Sequence, residues 1–243
     1  MNSESVKTES VLERAPTIRE RLMRHAMARL LVALVVLFVS APFLQKLESG
    51  RGIEALLLSL VLAASVMAVG GRRRTFVVAI VLALPVIFGR WLLHFIAAGT
   101  LYKFLFVAYL AFNGFVIFHL LRFILRSRRV NSEVICAAVS NYLLMGLLWA
   151  WCYALMARLD PGAITGLPSD NRNPHGFEAM YFSMITLTTV GYGDIVPVSS
   201  PARMLAMLEA VCGTMYMAVL VARLVSVYSA SGPTDTQGDQ GKP

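Results

Sequence analysis

Charge is what this chain of 243 residues has least of. Only 15% of it is Asp, Glu, Lys or Arg, against about 25% in soluble domains. Acidic residues number 14 and histidines 4. A surface so poor in charge cannot face water on all sides, which excludes a soluble enzyme and a soluble nucleic-acid binder. Cysteine is scarce too. Cys136, Cys152 and Cys212 each lie in an apolar run, at spacings that fit neither a zinc site nor a disulfide framework. They read as small core residues and say nothing of redox compartment. What the chain holds in excess is apolar side chains, 57%, with mean hydropathy +0.67. This is the composition of a membrane protein.

The 22 Lys and Arg give a net charge of +8 and an isoelectric point near 9.8. In a soluble chain that would raise nucleic acid as a partner. Here the basic residues sit in short clusters between apolar stretches, the pattern that orients membrane proteins, so no nucleic-acid partner is expected. Residues Met1 to Arg29 mix six basic with four acidic residues, and the apolar run begins too late for a cleavable signal. The first apolar run is therefore expected to persist as a span. The stretch Thr17 to Met27 reads either as a surface helix or as a polar lead-in.

A helix needs about 20 mostly apolar residues to cross the hydrocarbon core. Six candidates meet or approach that length: Met27–Leu44, Ile53–Val69, Thr75–Ala98, Leu101–Phe123, Glu133–Met156 and Ala202–Tyr228. Pro85 is expected to kink the third, and Arg90 and His94 interrupt its end. Loop charges alternate. The N-terminal tail, the Arg72-Arg73-Arg74 loop and the Arg126, Arg128, Arg129 loop are basic, while the intervening loops carry fewer: Lys46 and Arg51, then Lys103, then Arg158 and Arg172. The positive-inside rule then places both termini in the cytoplasm of a multi-pass cell-membrane protein.

The last loop, Ala157 to Pro201, differs from the others. A turn-rich stretch from Asp160 to Pro174 leads into Phe177–Thr188, which is apolar, hydroxyl-bearing and too short to span. A short helix that enters and returns is expected, since non-helical backbone at membrane depth must be buried in protein or line water. After Ser229 the chain is small and polar, read as a disordered cytoplasmic tail over 230–243.

The re-entrant segment ends in Thr188-Thr189-Val190-Gly191-Tyr192-Gly193-Asp194. Gly-Tyr-Gly alone is common in turns, but six specified positions after a short apolar helix between two spans are not. The segment Tyr181–Pro197, YFSMITLTTVGYGDIVP, resembles the pore loop of potassium channels, in which backbone carbonyls replace the hydration shell of the ion. The resemblance covers roughly Glu133 to Tyr228. The first four spans resemble the family only in number and placement. It implies that the carbonyls of Thr189, Val190, Gly191 and Tyr192, with the Thr189 hydroxyl, form stacked K+ sites, with Gly193 completing the filter. Gly191 and Gly193 permit the positive φ that such a backbone needs. A ring of ligands needs several copies, and the family solution is a homotetramer.

Neighbouring residues extend the reading. Tyr181 stands where relatives often carry a Trp bonded to the acid after the filter, so the resemblance implies a Tyr181–Asp194 strut; a membrane-interface aromatic is the other reading. Thr188 and Glu209 join Tyr181 and Asp194 as filter support. Ile185 stands where some bacterial members carry an acid, so that carboxylate pair is missing. Gly213, nineteen residues after Asp194, stands at the family's hinge glycine, and reads equally as a site of close helix packing. If Thr214 faces the pore, Met217, Val221 and Val225 follow on the same stripe. Glu209 falls off that stripe and is expected to bond behind the pore helix, to Ser183 or Thr186, or to be a neutral acid. Asn113, His119, Asn141 and Arg90 read as interhelical bonds or snorkelling side chains.

The expected fold class is an all-α membrane protein: six transmembrane helices plus a re-entrant pore helix and filter, assembled as a homotetramer. The expected division is 1–26 cytoplasmic, 27–129 a four-helix sensor-like domain, 130–229 the pore domain and 230–243 the tail. The expected function is passive, potassium-selective conduction with weak voltage dependence, K+ being the permeant ion with no cofactor and lipids the surroundings. A poorly selective cation channel, a transporter subunit and a non-conducting assembly protein are the alternatives. No acid pair, nucleophile–base pair or phosphate loop suggests an enzyme. The motif and short termini suggest a bacterial inner membrane.

Overall fold

The computed structural model describes residues 25–44, 47, 50–70, 73–92, 99–127, 130–167 and 177–229. The helices are α1 (Ala26–Leu44), α2 (Gly50–Val69), α3 (Arg73–Leu92), α4 (Gly99–Arg126), α5 (Ser132–Leu159), the short α6 (Phe177–Leu187) and α7 (Ser200–Ser229). Two-residue strands β1 (Ile164–Thr165) and β2 (Val196–Pro197) form the sheet found among the described residues. Each expected span falls on one of these helices, with ends moved by a few residues. Five of them, α1, α2, α4, α5 and α7, are long and apolar enough to cross a membrane, while α3 is apolar only over Arg74–Gly89. Helix α3 runs through Pro85, and α1 carries Pro42 within it.

The helix ends follow from local chemistry. Asn131 caps α5, its side chain accepting from the Val134 amide at 3.0 Å, and Glu133 adds a negative charge to the first turn. Ser199 caps α7 through the Ala202 amide at 3.3 Å. Pro201 then stands in the first turn, where its missing N–H costs nothing.

Helix α1 packs on α2 and α5, α3 on α2 and α4, and α4 on α5. Their shared core includes Leu30, Leu34, Phe112, Val116, Leu120 and Leu144. The Tyr109 and Trp151 rings stack between α4 and α5 with centroids 4.1 Å apart. One continuous core thus joins the sensor-like helices to the pore helices. The bonds of Asn113 to the Tyr109 hydroxyl and of His119 to the Phe115 carbonyl stay within α4. They are not the interhelical bonds expected from sequence, because each partner lies one turn back on the same helix. Cys212 is likewise exposed rather than in the core, since it stands on the open face of α7. The expectations for Thr17–Arg24, His94, Lys46, Arg72, Arg128 and Arg129, the Ser169–Pro174 turn and the 230–243 tail fall outside the described residues. The Arg51, Arg90 and Lys103 side chains fall outside them too.

Candidate ion-conducting site

Helix α6 is eleven residues long, about 16 Å at 1.5 Å per residue, roughly half of the hydrocarbon core. It packs between α5 and α7. Its C-terminus closes in a particular way. The Val190 amide donates to the Ile185 carbonyl at 2.9 Å and the Thr189 amide to the Thr186 carbonyl at 2.9 Å. These are the paired 6→1 and 5→2 bonds of a Schellman end, whose next-to-last position requires a left-handed residue and usually takes glycine. Here that residue is Thr189, with φ +60°. Thr188 completes the end, its hydroxyl donating to the Met184 carbonyl at 2.7 Å.

From that end the backbone continues with φ +55° at Gly191 and +81° at Gly193. Positive φ at 189, 191 and 193, separated by ordinary values at Val190 and Tyr192, alternates the hand of the chain. A strand sends successive groups to opposite sides, whereas alternating hand is a backbone able to present successive carbonyls to one side. A β-carbon on Gly191 or Gly193 would meet nothing within 4 Å, so conformation, not space, selects glycine there. Residues Thr188 to Asp194 are exposed, Tyr192 by 73%.

Behind this exposed segment the site is tightly held. The Tyr181 hydroxyl donates to Asp194 Oδ2 at 2.8 Å, the pair that the resemblance implied. Asp194 Oδ1 also accepts from the Ile195 amide at 3.1 Å. Strands β1 and β2 pair antiparallel, Ile164 with Pro197 and Thr165 with Val196, and anchor the chain that follows Asp194. At Gly166, φ is +84° and a β-carbon would stand 2.5 Å from the Asp194 carbonyl oxygen, so a larger residue is barred by conformation and space alike. On the inner side, the Tyr142 hydroxyl of α5 donates to the Leu187 carbonyl at 3.2 Å. The Tyr216 hydroxyl of α7 donates to the Ala138 carbonyl at 2.8 Å.

Glu209 is fully buried. It accepts from the Tyr153 hydroxyl at 2.5 Å. Its other oxygen lies 2.5 Å from Ser183 Oγ, which donates to the Gly146 carbonyl at 2.7 Å. Of the two partners expected for Glu209, the structure places Ser183 against it and adds Tyr153. A β-carbon at Gly213 would stand 2.2 Å from the Leu187 carbonyl oxygen. Here α7 passes against the end of α6 at the distance only glycine allows. Thr214, Met217, Val221 and Val225 are all exposed, whereas Gly213 and Glu209 are buried.

Tyr153, Tyr142, Tyr216, Gly146 and Gly166 carry much of this support without having been legible as site residues. A tyrosine in an apolar run bears no mark of a partner 45 to 78 residues away. The one available signal was that a buried tyrosine hydroxyl must find an acceptor.

An all-α fold with five helices apolar enough to cross a membrane, a short helix between two of them and an exposed, alternating-hand loop is consistent with a membrane channel. Residues 139–230 match the family model described as "Ion channel". A calcium-gated potassium channel, TvoK, of Thermoplasma volcanium is 50% identical over 48 residues, which is 20% of this chain and 14% of that protein. The two pore potassium channel b of Oryza sativa is 38% identical over 66 residues, 27% and 19% of the two chains. The inward rectifier Kirbac3.1 of Paramagnetospirillum magnetotacticum is 41% identical over 51 residues, 21% and 17%. The chain spans less than a fifth of the length of each of these curated relatives, and no solved structure matches it. Over residues 139–230 the chain is thus similar to ion channels, and the relatives that align with it are named as potassium channels.

Proposed function

We propose that copies of this chain assemble as a homotetramer that conducts potassium passively and selectively across the cell membrane. The observation that carries this is the Thr189–Gly193 segment: the TVGYG sequence with positive φ at alternate residues, delivered by a short helix that cannot itself cross. In this reading the carbonyls of Thr189, Val190, Gly191 and Tyr192 and the Thr189 hydroxyl ligate dehydrated K+. Thr214, Met217, Val221 and Val225 line the inner cavity, and Tyr181, Thr188 and Asp194 hold the filter. The helices α1 to α5 and α7 supply six spans with both termini cytoplasmic, as in a bacterial inner membrane.

One chain offers one wall of ligands, and its filter is exposed on one side. Helix α7 buries only a narrow stripe on its own chain, while Met204, Met207, Val211 and Met215 stay exposed. Both features support a pore closed by further copies. The relatives that align here are named as potassium channels, which favours selectivity over the poorly selective alternative. The test is flux in liposomes. Potassium should move, barium should block it, and sodium should move far more slowly. Equal sodium and potassium flux would leave only the poorly selective reading, and no flux of either would leave a non-conducting assembly.

A further inference from the structure

Glu209 raises a question of proton counting. Its carboxyl is fully buried in the outer half of α7, and among the described residues the ion pair found is His25 with Glu133, elsewhere in the fold. The titratable groups near it are Tyr142, Cys152 and Tyr153, all from α5. From α6 it meets Ser183. None of these is a cation.

Tyr153 has one hydroxyl proton, directed at Glu209 Oε2. Ser183 also has one, yet its Oγ stands 2.7 Å from the Gly146 carbonyl oxygen and 2.5 Å from Glu209 Oε1. An ionised carboxylate only accepts, and so does a carbonyl. With Glu209 ionised, one of these two short contacts would set lone pair against lone pair. A proton on Oε1 resolves the count: Glu209 donates to Ser183, Ser183 to Gly146, and Tyr153 to Oε2. Each proton is used once and no buried oxygen is left without one. An unpaired ion at this depth is also among the costliest groups a membrane protein can bury.

We propose that Glu209 is a neutral carboxylic acid whose proton bonds Ser183, making it a positioning residue that fastens α5, α6 and α7 together behind the filter. The proposal deepens the pore reading and rests on it. Ser183 lies in the last two turns of α6, six residues before Thr189, so the relay sets where α6 delivers the filter. The acid touches no ion; it acts through α6.

The experiment compares wild type, Glu209→Gln and Glu209→Ala, all reconstituted in vesicles at neutral pH. The infrared carbonyl stretch of a protonated carboxylic acid should be present in wild type and missing in Glu209→Gln. The amide can donate to Ser183 and accept from Tyr153 as the acid does, so Glu209→Gln should keep potassium-over-sodium flux. Glu209→Ala leaves the buried Tyr153 hydroxyl without its acceptor and cuts the tie between Ser183 and α7, and its selectivity should drop by about tenfold or more. A wild-type spectrum with only ionised carboxylate at this site would overturn the proposal. So would a Glu209→Gln channel that loses selectivity as the alanine variant does. If wild type passes no potassium, the pore reading fails, while the infrared band still decides the proton.

Discussion

Thr189 holds φ +60°, a conformation that disfavours a residue with a β-carbon by roughly 1–2 kcal/mol. Glycine at this position would relieve the strain, yet threonine stands there, and its hydroxyl is the only side-chain oxygen within the ligand set of the proposed pore. Strain at such a residue persists because the two amide bonds of the helix end over-determine it. At Gly191 and Gly193 the same backbone needs no compensation. Gly191→Ala should therefore abolish potassium flux, through about 1–2 kcal/mol of strain per subunit, while assembly by size exclusion is unchanged. Normal selective flux from that variant would show that the segment is not the filter. Tyr181→Phe removes one bond, worth about 0.5–1.5 kcal/mol, and keeps the ring that stacks on Phe177. Its channels should assemble and select potassium, but the current should run down faster under a sustained gradient. An unchanged time course would mean that the Asp194 bond carries none of the filter's stability.

Helix α7 crosses the end of α6 with Gly213 against the Leu187 carbonyl, a close approach at the base of the Thr188–Asp194 segment. Gly213→Ala forces a carbon into that contact and should cost about 1–3 kcal/mol as overpacking, read as a lower melting temperature of the assembly. If stability holds and only gating changes, the residue is a hinge rather than a packing site. The spans were legible in sequence because their apolar runs have no other home, and the re-entrant helix because it is apolar yet too short. The positive-φ positions at Gly191 and Gly193 were legible because that backbone conformation demands glycine. Three things were not. The β1–β2 ribbon has two residues per strand, too few to show alternation. The left-handed Thr189 depends on how α6 ends, where glycine is the usual mark. The tyrosine struts depend on which helices meet. The open face of α7 makes its own prediction. In mild detergent the protein should run as a tetramer by mass, and a monomer or dimer that still passes potassium would defeat the assembly proposed here.

Across the whole molecule, the first four helices are joined to α7 mechanically as well as to α5 by the shared core. Arg223, near the inner end of α7, donates from Nη2 to the Ser127 carbonyl at 3.0 Å, just past the end of α4. A displacement of α4 therefore has a path to the pore. What α4 lacks is a charge for the field to act on. Between Phe104 and Leu121 it contains no Lys or Arg. Its basic residues Arg122 and Arg126 stand in the last turns, where the positive-inside rule already accounts for them. Its polar residues at depth, Asn113 and His119, bond within the helix. Each elementary charge carried across the membrane gains about 2.3 kcal/mol per 100 mV, and steep sensors move roughly 3–4 in each subunit. Arg90 is a lone charge late in α3 and Lys103 stands near the start of α4, so neither supplies such a ladder. Conductance measured against voltage in symmetrical potassium should accordingly change gently, without a steep sigmoid. A curve with an effective valence of several charges per assembly would mean that a sensor lies outside α4, with the Arg223–Ser127 contact as the first place to interrupt it.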